Sequence, residues 1–275
     1  MIIYILLFIL GIIIGSFLNV VSLRYSPETG FLGIRKKING LSTFDFRLST
    51  IKWLGRSHCM SCGKILSWYE LIPLLSFFLQ KGRCRDCKNK LLWQYPIVEF
   101  VSGLIFLSPL YFFNFTLNPI PYTLIGSILW ILVFLIFLLI CIIDFRHYII
   151  PDGLVILLAI LGLGNIILKS VYGQFGIVSG SFLGSYAFLF GLRDSIWLNH
   201  LAAAVLALAV FWLIIYLSKY LLKEEGMGMG DLKLIAALGL LFGWPDIIFV
   251  IIFSFFIGSL ASLGLLIYKK KTLKS

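Results

Sequence analysis

The sequence predicts an all-α polytopic membrane protein with about seven to eight transmembrane helices and a small cytoplasmic zinc-ribbon-like module. The 275-residue chain is 60% hydrophobic and only 13% charged, with a mean hydropathy of +1.03. Its uncharged runs reach about 20 residues, which an α-helix needs to cross the hydrocarbon of a bilayer. Four cysteines form two C-x-x-C pairs within one basic segment. The composition excludes a disordered chain, a secreted disulfide scaffold and a soluble nucleic-acid-binding protein.

The positive charge is concentrated in one segment, and this sets the predicted topology. Residues 24–93 hold 13 Lys and Arg against four acids, which is +9 of the chain's net charge of +11. Because loops rich in Lys and Arg stay on the cytoplasmic side of a membrane, we expect this segment to be cytoplasmic and the N-terminus to be outside. Residues 1–23 have neither a basic start nor a small-residue cleavage site, which favours a retained anchor over a signal peptide.

Apolar runs predict the remaining membrane segments, which are residues 94–113, 122–143, 153–171, 198–218, the shorter 232–243, and 246–268. A short apolar piece, 182–190 in the outer stretch 173–197, adds an eighth segment if it re-enters the membrane. This layout places 21 of the 23 basic residues and the C-terminus on the cytoplasmic side. The predicted organisation is a first transmembrane helix (1–23), a cytoplasmic basic loop with the cysteines (24–93) and a multipass membrane domain (94–275).

The cysteines of the cytoplasmic loop predict a structural zinc site. The pairs are Cys59 with Cys62 and Cys84 with Cys87, separated by 21 residues. Two such turns aim four thiolates at one ion and close a tetrahedral Zn²⁺ shell. The alternatives are two disulfides, which a reducing cytosol disfavours, or a dithiol redox site, which needs only one pair. The fifth cysteine, Cys141, lies in the third predicted span and is expected to be a buried apolar residue.

Acidic residues at the edge of a membrane are costly and are therefore candidates for function. Asp152 and Asp246 each follow a proline and precede an apolar run, where a carboxylate commonly serves as a helix N-cap. Asp231 also precedes a predicted helix, but it follows a glycine-rich stretch, residues 226–230, whose bare backbone allows close approach. Asp144 ends the third span, where the helix dipole disfavours an anion, so capping does not explain it.

The predicted topology places Asp144 and Asp231 at the same cytoplasmic edge of the membrane. Two carboxylates about 3 Å apart share one proton, so that one acts as a base on water and the other as an acid to a carbonyl. This predicts aspartic-protease chemistry at the membrane surface. The alternative is a proton-coupled transporter that uses the same acids as relays, for which acids near the bilayer midplane are expected.

Several motifs follow one another along the chain in an order shared with a known family. Besides the cysteine pairs they are Gly15-Ser-Phe-Leu-Asn-Val-Val21, Trp68-Tyr-Glu-Leu-Ile-Pro-Leu-Leu75, Gly82-Arg-Cys84, Tyr95-Pro-Ile-Val-Glu99, Ile143-Asp-Phe-Arg-His147 with Pro151-Asp152, and Gly226-Met-Gly-Met-Gly-Asp-Leu-Lys-Leu234. In this respect the chain resembles the bacterial type IV prepilin peptidases, which are GxGD-type intramembrane aspartic proteases that also N-methylate the product. The outer stretch 173–197 is longer than the usual connection of that family.

The resemblance implies a function and assigns residues to it. It places the two catalytic aspartates at Asp144 and Asp231, and the zinc-type cysteines at the four C-x-x-C positions. The implied substrates are type IV prepilins or pseudopilins at the bacterial cytoplasmic membrane, whose basic leader stays in the cytosol and is cut off after a Gly, typically before Phe. The new α-amine would then be methylated from S-adenosylmethionine.

The site of the methyl donor does not follow from the sequence. The chain has no Gly-rich nucleotide loop of the Rossmann type. Glu99, at the start of the second predicted span, is a candidate for binding the amine, and its alternative is an ordinary interfacial acid. A peptidase that does not methylate its product therefore also remains open at this point.

Overall fold

The computed structural model describes residues 2–27, 56–112, 120–172, 195–222 and 228–267. Within these ranges the regular structure is helical, and the only β pairing consists of isolated bridges. A short 3-10 helix spans Trp68–Leu71. The α-helices are α1 (Ile2–Arg24), α2 (Leu75–Leu79), α3 (Gln94–Phe112), α4 (Ile120–His147), α5 (Asp152–Tyr172), α6 (Ile196–Leu222), α7 (Met229–Phe242) and α8 (Asp246–Ile267).

The predicted class of an all-α multipass membrane protein is confirmed. Five helices of the described chain, α1, α4, α5, α6 and α8, are long and apolar enough to cross a membrane. The predicted segments 94–113 and 232–243 are also helical, as the 19-residue α3 and the 14-residue α7, but they are not among these five. Most of the stretch 173–197, including the apolar piece 182–190, lies outside the described residues.

The described residues form two compact units, Met1–Leu154 and Val155–Ser275. In the first unit α1 and α3 pack backbone against backbone. A Cβ atom added to Gly11 would lie 2.7 Å from the Cα of Gly103, which is closer than atoms can approach. The Ser102 hydroxyl lies in the same contact and donates a hydrogen bond of 2.7 Å to the Gly11 carbonyl. Small residues therefore allow these two apolar helices to associate in lipid.

The second unit contains a helix that is too short to cross a bilayer. The 14 residues of α7 span about 21 Å, less than the ~30 Å of hydrocarbon. The last carbonyls of such a helix need partners, because water does not reach them in the membrane. The Asn165 amide donates to the Leu241 carbonyl at 3.0 Å, and Nδ1 of His200 lies 2.8 Å from the Leu240 carbonyl oxygen. Side chains of neighbouring helices thus provide hydrogen-bond partners for the last backbone carbonyls of α7.

Candidate metal centre and active site

The four predicted metal-binding cysteines come together in the first unit. The sulfurs of Cys59, Cys62, Cys84 and Cys87 all lie within 4.8 Å of one another. The sulfurs of Cys59 and Cys87, one from each pair, are 3.8 Å apart. Zn–S bonds of 2.3 Å in a tetrahedron place sulfur atoms about 3.8 Å apart, so the cluster has the right size for one ion. The four side chains therefore come together as the spacing predicted, and their binding of a metal ion stays a prediction.

Each cysteine pair lies on a tight turn, and the two turns repeat the same hydrogen bonds. In the first, the Cys59 N–H donates to the Lys64 carbonyl at 2.9 Å. In the second, the Cys84 N–H donates to the Asn89 carbonyl, also at 2.9 Å. The residue after the second cysteine of each pair has a positive φ, 72° at Gly63 and 57° at Lys88. This left-handed residue folds the backbone around the thiols.

Polar side chains join the two turns. The Lys64 ammonium pairs with the Asp86 carboxylate at 2.7 Å, and the Asn89 amide donates to the Ser61 hydroxyl. Both contacts are exposed and contribute little stability by themselves, since surface ion pairs contribute about 0–1 kcal/mol. These contacts hold the two turns next to each other, while the sulfurs are the candidate metal ligands.

The thiol cluster is electrostatically suited to a divalent cation. Backbone N–H groups of Cys62 and Ser61 lower the pKa of the Cys59 thiol to about 6. At Cys87 the Asn89 N–H lowers the pKa, but desolvation and the neighbouring thiols together raise it to about 11. One thiolate therefore opposes ionisation of the others, and a bound cation would relieve that repulsion. The residues fit a closed metal site with four sulfur ligands and no open position.

The first predicted catalytic residue, Asp144, lies in the last turn of α4. The helix continues to His147, beyond the predicted end of the span at residue 143. The Asp144 side chain is exposed, and its backbone carbonyl accepts a hydrogen bond of 2.7 Å from the Tyr148 N–H. Tyr148 has a φ of 54°, which ends the helix in the left-handed conformation typical of a C-cap. Asp144 therefore lies at the negative end of the helix dipole, as predicted.

The second predicted catalytic residue, Asp231, lies in the second unit. It was expected to precede a helix beginning at residue 232, but α7 begins at Met229, so Asp231 belongs to the first helical turn. Gly228 is the N-cap, which means that the alternative of Asp231 as the cap is wrong. The side chain is half-buried. Asp231 therefore lies near the positive end of the α7 dipole, a position at which acidic residues are common.

The two other acids lie at helix starts, but the prediction that they are the N-caps is wrong, because each is already the first helical residue. Asp152 is the first residue of α5, and Asp246 is the first residue of α8. Both positions favour a carboxylate without any catalytic role.

Cys141 is exposed on the surface of α4, so the expectation that it is buried is wrong. Lipid is as apolar as a protein core, so an exposed thiol on a helix of this kind is compatible with a membrane.

Two buried acids lie near the cysteine module: Glu99, which the sequence named as a candidate for binding the amine, and Glu70, which it did not single out. Glu70 and Glu99 are each only 6% exposed. A carboxylate oxygen of Glu70 accepts the Ser67 N–H at 2.9 Å, and one of Glu99 accepts the Leu74 N–H at 2.7 Å. The apolar run around Glu70, residues 68–79, is too short to cross a membrane, and its pattern predicts either packing of the module against the membrane face or a groove for an apolar substrate segment. Buried carboxylates are costly, which makes both residues candidates for function.

Comparison with known proteins identifies the family. Residues 9–113 match the model of the bacterial peptidase A24 N-terminal domain, and residues 131–263 match that of the type IV leader peptidase family. A prepilin leader peptidase/N-methyltransferase of Stutzerimonas stutzeri is 30% identical over 260 residues, which are 91% of this chain and 77% of that protein. The chain belongs to the type IV leader peptidase family.

Other members of the type IV leader peptidase family support this assignment. The prepilin leader peptidase/N-methyltransferase of Pseudomonas aeruginosa is 30% identical over 97% of this chain and 81% of its own length. The prepilin leader peptidase/N-methyltransferase of Myxococcus xanthus is 29% identical over 95% of this chain. The aligned region covers 62% of the length of that relative. No solved structure matches the chain. Membership of a leader peptidase family does not support the transporter alternative.

Proposed function

We propose that this protein removes the leader peptide of type IV prepilins or pseudopilins and N-methylates the new N-terminus. The observation that carries the proposal is the coverage of the chain. An N-terminal domain model and a leader peptidase model match in succession, and relatives named for both activities align with more than nine tenths of the chain. The membrane-spanning helices agree with a protein of the bacterial inner membrane.

In the proposed peptidase reaction Asp144 and Asp231 act as a dyad that holds one proton. The ionised carboxylate removes a proton from a water molecule while the water oxygen attacks the carbonyl carbon of the scissile peptide bond. The protonated carboxylic acid donates its proton to the carbonyl oxygen, which avoids an uncompensated oxyanion. Collapse of the tetrahedral intermediate breaks the C–N bond, and a proton returned to the nitrogen releases the new amine.

The charge distribution supports a cytoplasmic site for this cleavage. We propose that the N-terminus is outside and that the C-terminus and the loop 24–93 are cytoplasmic, because translocating their many Lys and Arg residues is disfavoured. In this orientation the end of α4 that carries Asp144 faces the cytosol. A basic leader is held there for the same electrostatic reason, so the scissile bond and the acids are on one side.

We further propose that the four cysteines hold a structural Zn²⁺. Four thiolates complete the shell of this ion, and when bound it supplies cross-linking of the two turns rather than a reactive water. The side chains of Lys64 and Asp86 then maintain the relative orientation of the turns. The proposed methyl donor is S-adenosylmethionine, which supplies an electrophilic methyl group when bound.

The dyad is tested with purified full-length protein in detergent and a synthetic prepilin. Asp144→Asn and Asp231→Asn are each expected to reduce cleavage by about 10³-fold or more, because an amide replaces an ionisable acid of a coupled pair. Asp152→Asn is the matched control, since it removes an acid at the start of α5 and is expected to retain cleavage. Cleavage by either dyad variant at the wild-type rate would exclude the assignment.

A further inference from the structure

The short helix α7 is buried at its C-terminal end and more open at its N-terminal end. Its buried residues all belong to the C-terminal part and are Ile235, Ala237, Leu238, Gly239 and Leu241. Residues 229–234, which include Asp231, are half-buried or exposed. Asp231 and Leu241 are about 15 Å apart along the helix axis. The proposed catalytic residue therefore lies at the end of α7 that is less tightly packed.

At its buried end α7 contacts α5 and α6 through small residues. A Cβ atom added to Gly239 would lie 2.4 Å from the Cα of Ala204 in α6, so a side chain does not fit there. On the other side, a Cβ atom added to Gly162 of α5 would lie 3.2 Å from the backbone N of Leu241. These close contacts hold α7 against its neighbours. Apolar contacts are not directional, however, so they do little to fix the position of α7 along its own axis.

Two adjacent residues of α6, Asn199 and His200, supply directional contacts to the same end of α7. Both are buried, at 6% and 3% exposed. The Asn199 side-chain oxygen accepts the Trp244 N–H at 2.8 Å, and its amide donates to the Trp244 carbonyl at 2.8 Å. Nδ1 of His200 donates to the Leu240 carbonyl at 2.8 Å, and its Nε2 lies 3.5 Å from the Lys169 ammonium nitrogen. Three hydrogen bonds therefore join these two residues to the backbone at the end of α7.

The backbone at the end of α7 is shaped to admit the Asn199 side chain. Gly243 is the C-cap of α7 and has a φ of 79°, in the left-handed region that favours glycine. A Cβ atom at Gly243 would lie 2.6 Å from the side-chain oxygen of Asn199. The glycine thus ends the helix and leaves room for the amide that pairs with the next residue. Asn199 therefore fixes where α7 ends relative to α6.

We propose that Asn199 and His200 are positioning residues, which hold the C-terminal end of α7 and thereby set the axial position and rotation of Asp231 at its other end. This role rests on the proposed function, in which Asp231 belongs to the catalytic dyad. The backbone hydrogen bonds of an α-helix keep its rise and rotation per residue constant, so a displacement of one end is transmitted to the other. A displacement of about 1 Å at a catalytic group lowers the rate by up to about a hundredfold.

The experiment measures cleavage of a synthetic prepilin by purified full-length protein in detergent, at a temperature well below the Tm of each variant. Asn199→Leu keeps the approximate size of the side chain but removes both hydrogen bonds to Trp244. We expect kcat to fall by about tenfold to a hundredfold while KM changes by less than about twofold, because only the catalytic acid is displaced. We also expect the two limbs of the pH–rate profile to move towards each other by about half a pH unit each, because carboxylates that are farther apart share a proton less strongly.

His200 offers a matched pair of variants. His200→Asn keeps an N–H donor close to the position of Nδ1, whereas His200→Leu has no donor there. Both variants lack the imidazole, so its own ionisation contributes to neither pH–rate profile. We expect His200→Leu to lower kcat by about threefold to tenfold and to narrow the profile, because one of the three hydrogen bonds is lost. His200→Asn is expected to retain the wild-type profile and at least about half of the wild-type kcat. If Asn199→Leu does not fold, this pair decides by itself.

Three outcomes overturn the positioning role. An unchanged kcat in Asn199→Leu and in His200→Leu, with only a lower Tm, would show that the two residues stabilise the helices and do nothing more. A lower kcat without movement of the two limbs would show that the loss does not act through the dyad. Equal effects of His200→Leu and His200→Asn would show that the hydrogen bond to α7 is not what matters.

Asp231→Asn, measured in the same preparation, separates failure of this role from failure of the proposed function. If Asp231→Asn is inactive while Asn199→Leu and His200→Leu cleave like the wild type, only the positioning role fails. If Asp231→Asn cleaves at the wild-type rate, the dyad assignment fails and the positioning role fails with it.

Discussion

The cysteine module and the membrane helices of this protein are stabilised in different ways. In the module, four sulfurs within 4.8 Å of one another are surrounded by short turns with few buried side chains. In the helices, stabilisation is distributed over many contacts, such as the backbone packing of Gly11 on Gly103 and the hydrogen bond from Asn165 to α7. With the proposed Zn²⁺ bound, the module concentrates its stability at one point, so single substitutions are expected to have large effects there and small effects in the helices.

The largest effect is expected from loss of one sulfur ligand. Structural zinc contributes about 10–16 kcal/mol in small metal-dependent domains, so at the proposed zinc site Cys84→Ser is expected to abolish metal binding and unfold the module locally. The measurements are metal content by elemental analysis and protease sensitivity of residues 56–92. Cys141→Ser, in α4, is the control and should retain the metal. A Cys84→Ser protein with a full equivalent of zinc would refute the closed four-sulfur site, as would a wild-type protein with less than about half an equivalent.

The sequence predicted the cysteine module more accurately than the surroundings of the buried acids beside it. The reason is that the residues of each cysteine turn are close together along the chain, whereas the residues around the acids are far apart. Each C-x-x-C turn is a local structure, so spacing alone predicted which sulfurs would meet. The neighbourhood of Glu70 and Glu99 is assembled from α1, α3 and the segment 68–79, and no local pattern encodes that assembly. Trp68, at 77% exposed, agrees with an interfacial surface for this segment, but Glu70 points inward. The apolar pattern of residues 68–79 did not show which side chains point outward, as Trp68 does, and which point inward, as Glu70 does.

The same contrast applies to the aspartates. Composition and charge predicted that Asp144 would lie at a helix end, because the third apolar run stops there. The beginning of α7 was predicted three residues too late, because glycines in the stretch 226–230 disfavour a helix by about 1 kcal/mol each and tertiary packing outweighs that preference. Whether Asp144 and Asp231 form a dyad depends on packing between distant parts of the chain, and it stays a proposal that the Asp→Asn variants test.

An intermediate effect is expected where two helices touch through glycine. Gly11→Ala places a methyl group 2.7 Å from the Cα of Gly103, so α1 and α3 must separate, at a cost of about 1–3 kcal/mol. Gly258→Ala, in α8, is the matched control, because nothing lies within 4 Å of the added methyl group. Thermal unfolding in the same detergent is expected to show a lower Tm for Gly11→Ala and an unchanged or higher Tm for Gly258→Ala. Equal Tm values would contradict the close packing of α1 on α3.

The smallest effect is expected from a single interhelical hydrogen bond. Asn165→Leu keeps the approximate size of the side chain but leaves the Leu241 carbonyl without the Asn165 amide that donates to it at 3.0 Å. Interhelical hydrogen bonds in membranes average about 0.6 kcal/mol, and rarely exceed about 1.7 kcal/mol, because the carbonyl finds other partners when the helices separate. Unfolding in sodium dodecyl sulfate should therefore show a loss of about 1 kcal/mol or less. A loss of unfolding free energy as large as that of Gly11→Ala would mean that the end of α7 depends on Asn165 alone. Stability in the second unit would then be concentrated at one residue instead of distributed over many contacts.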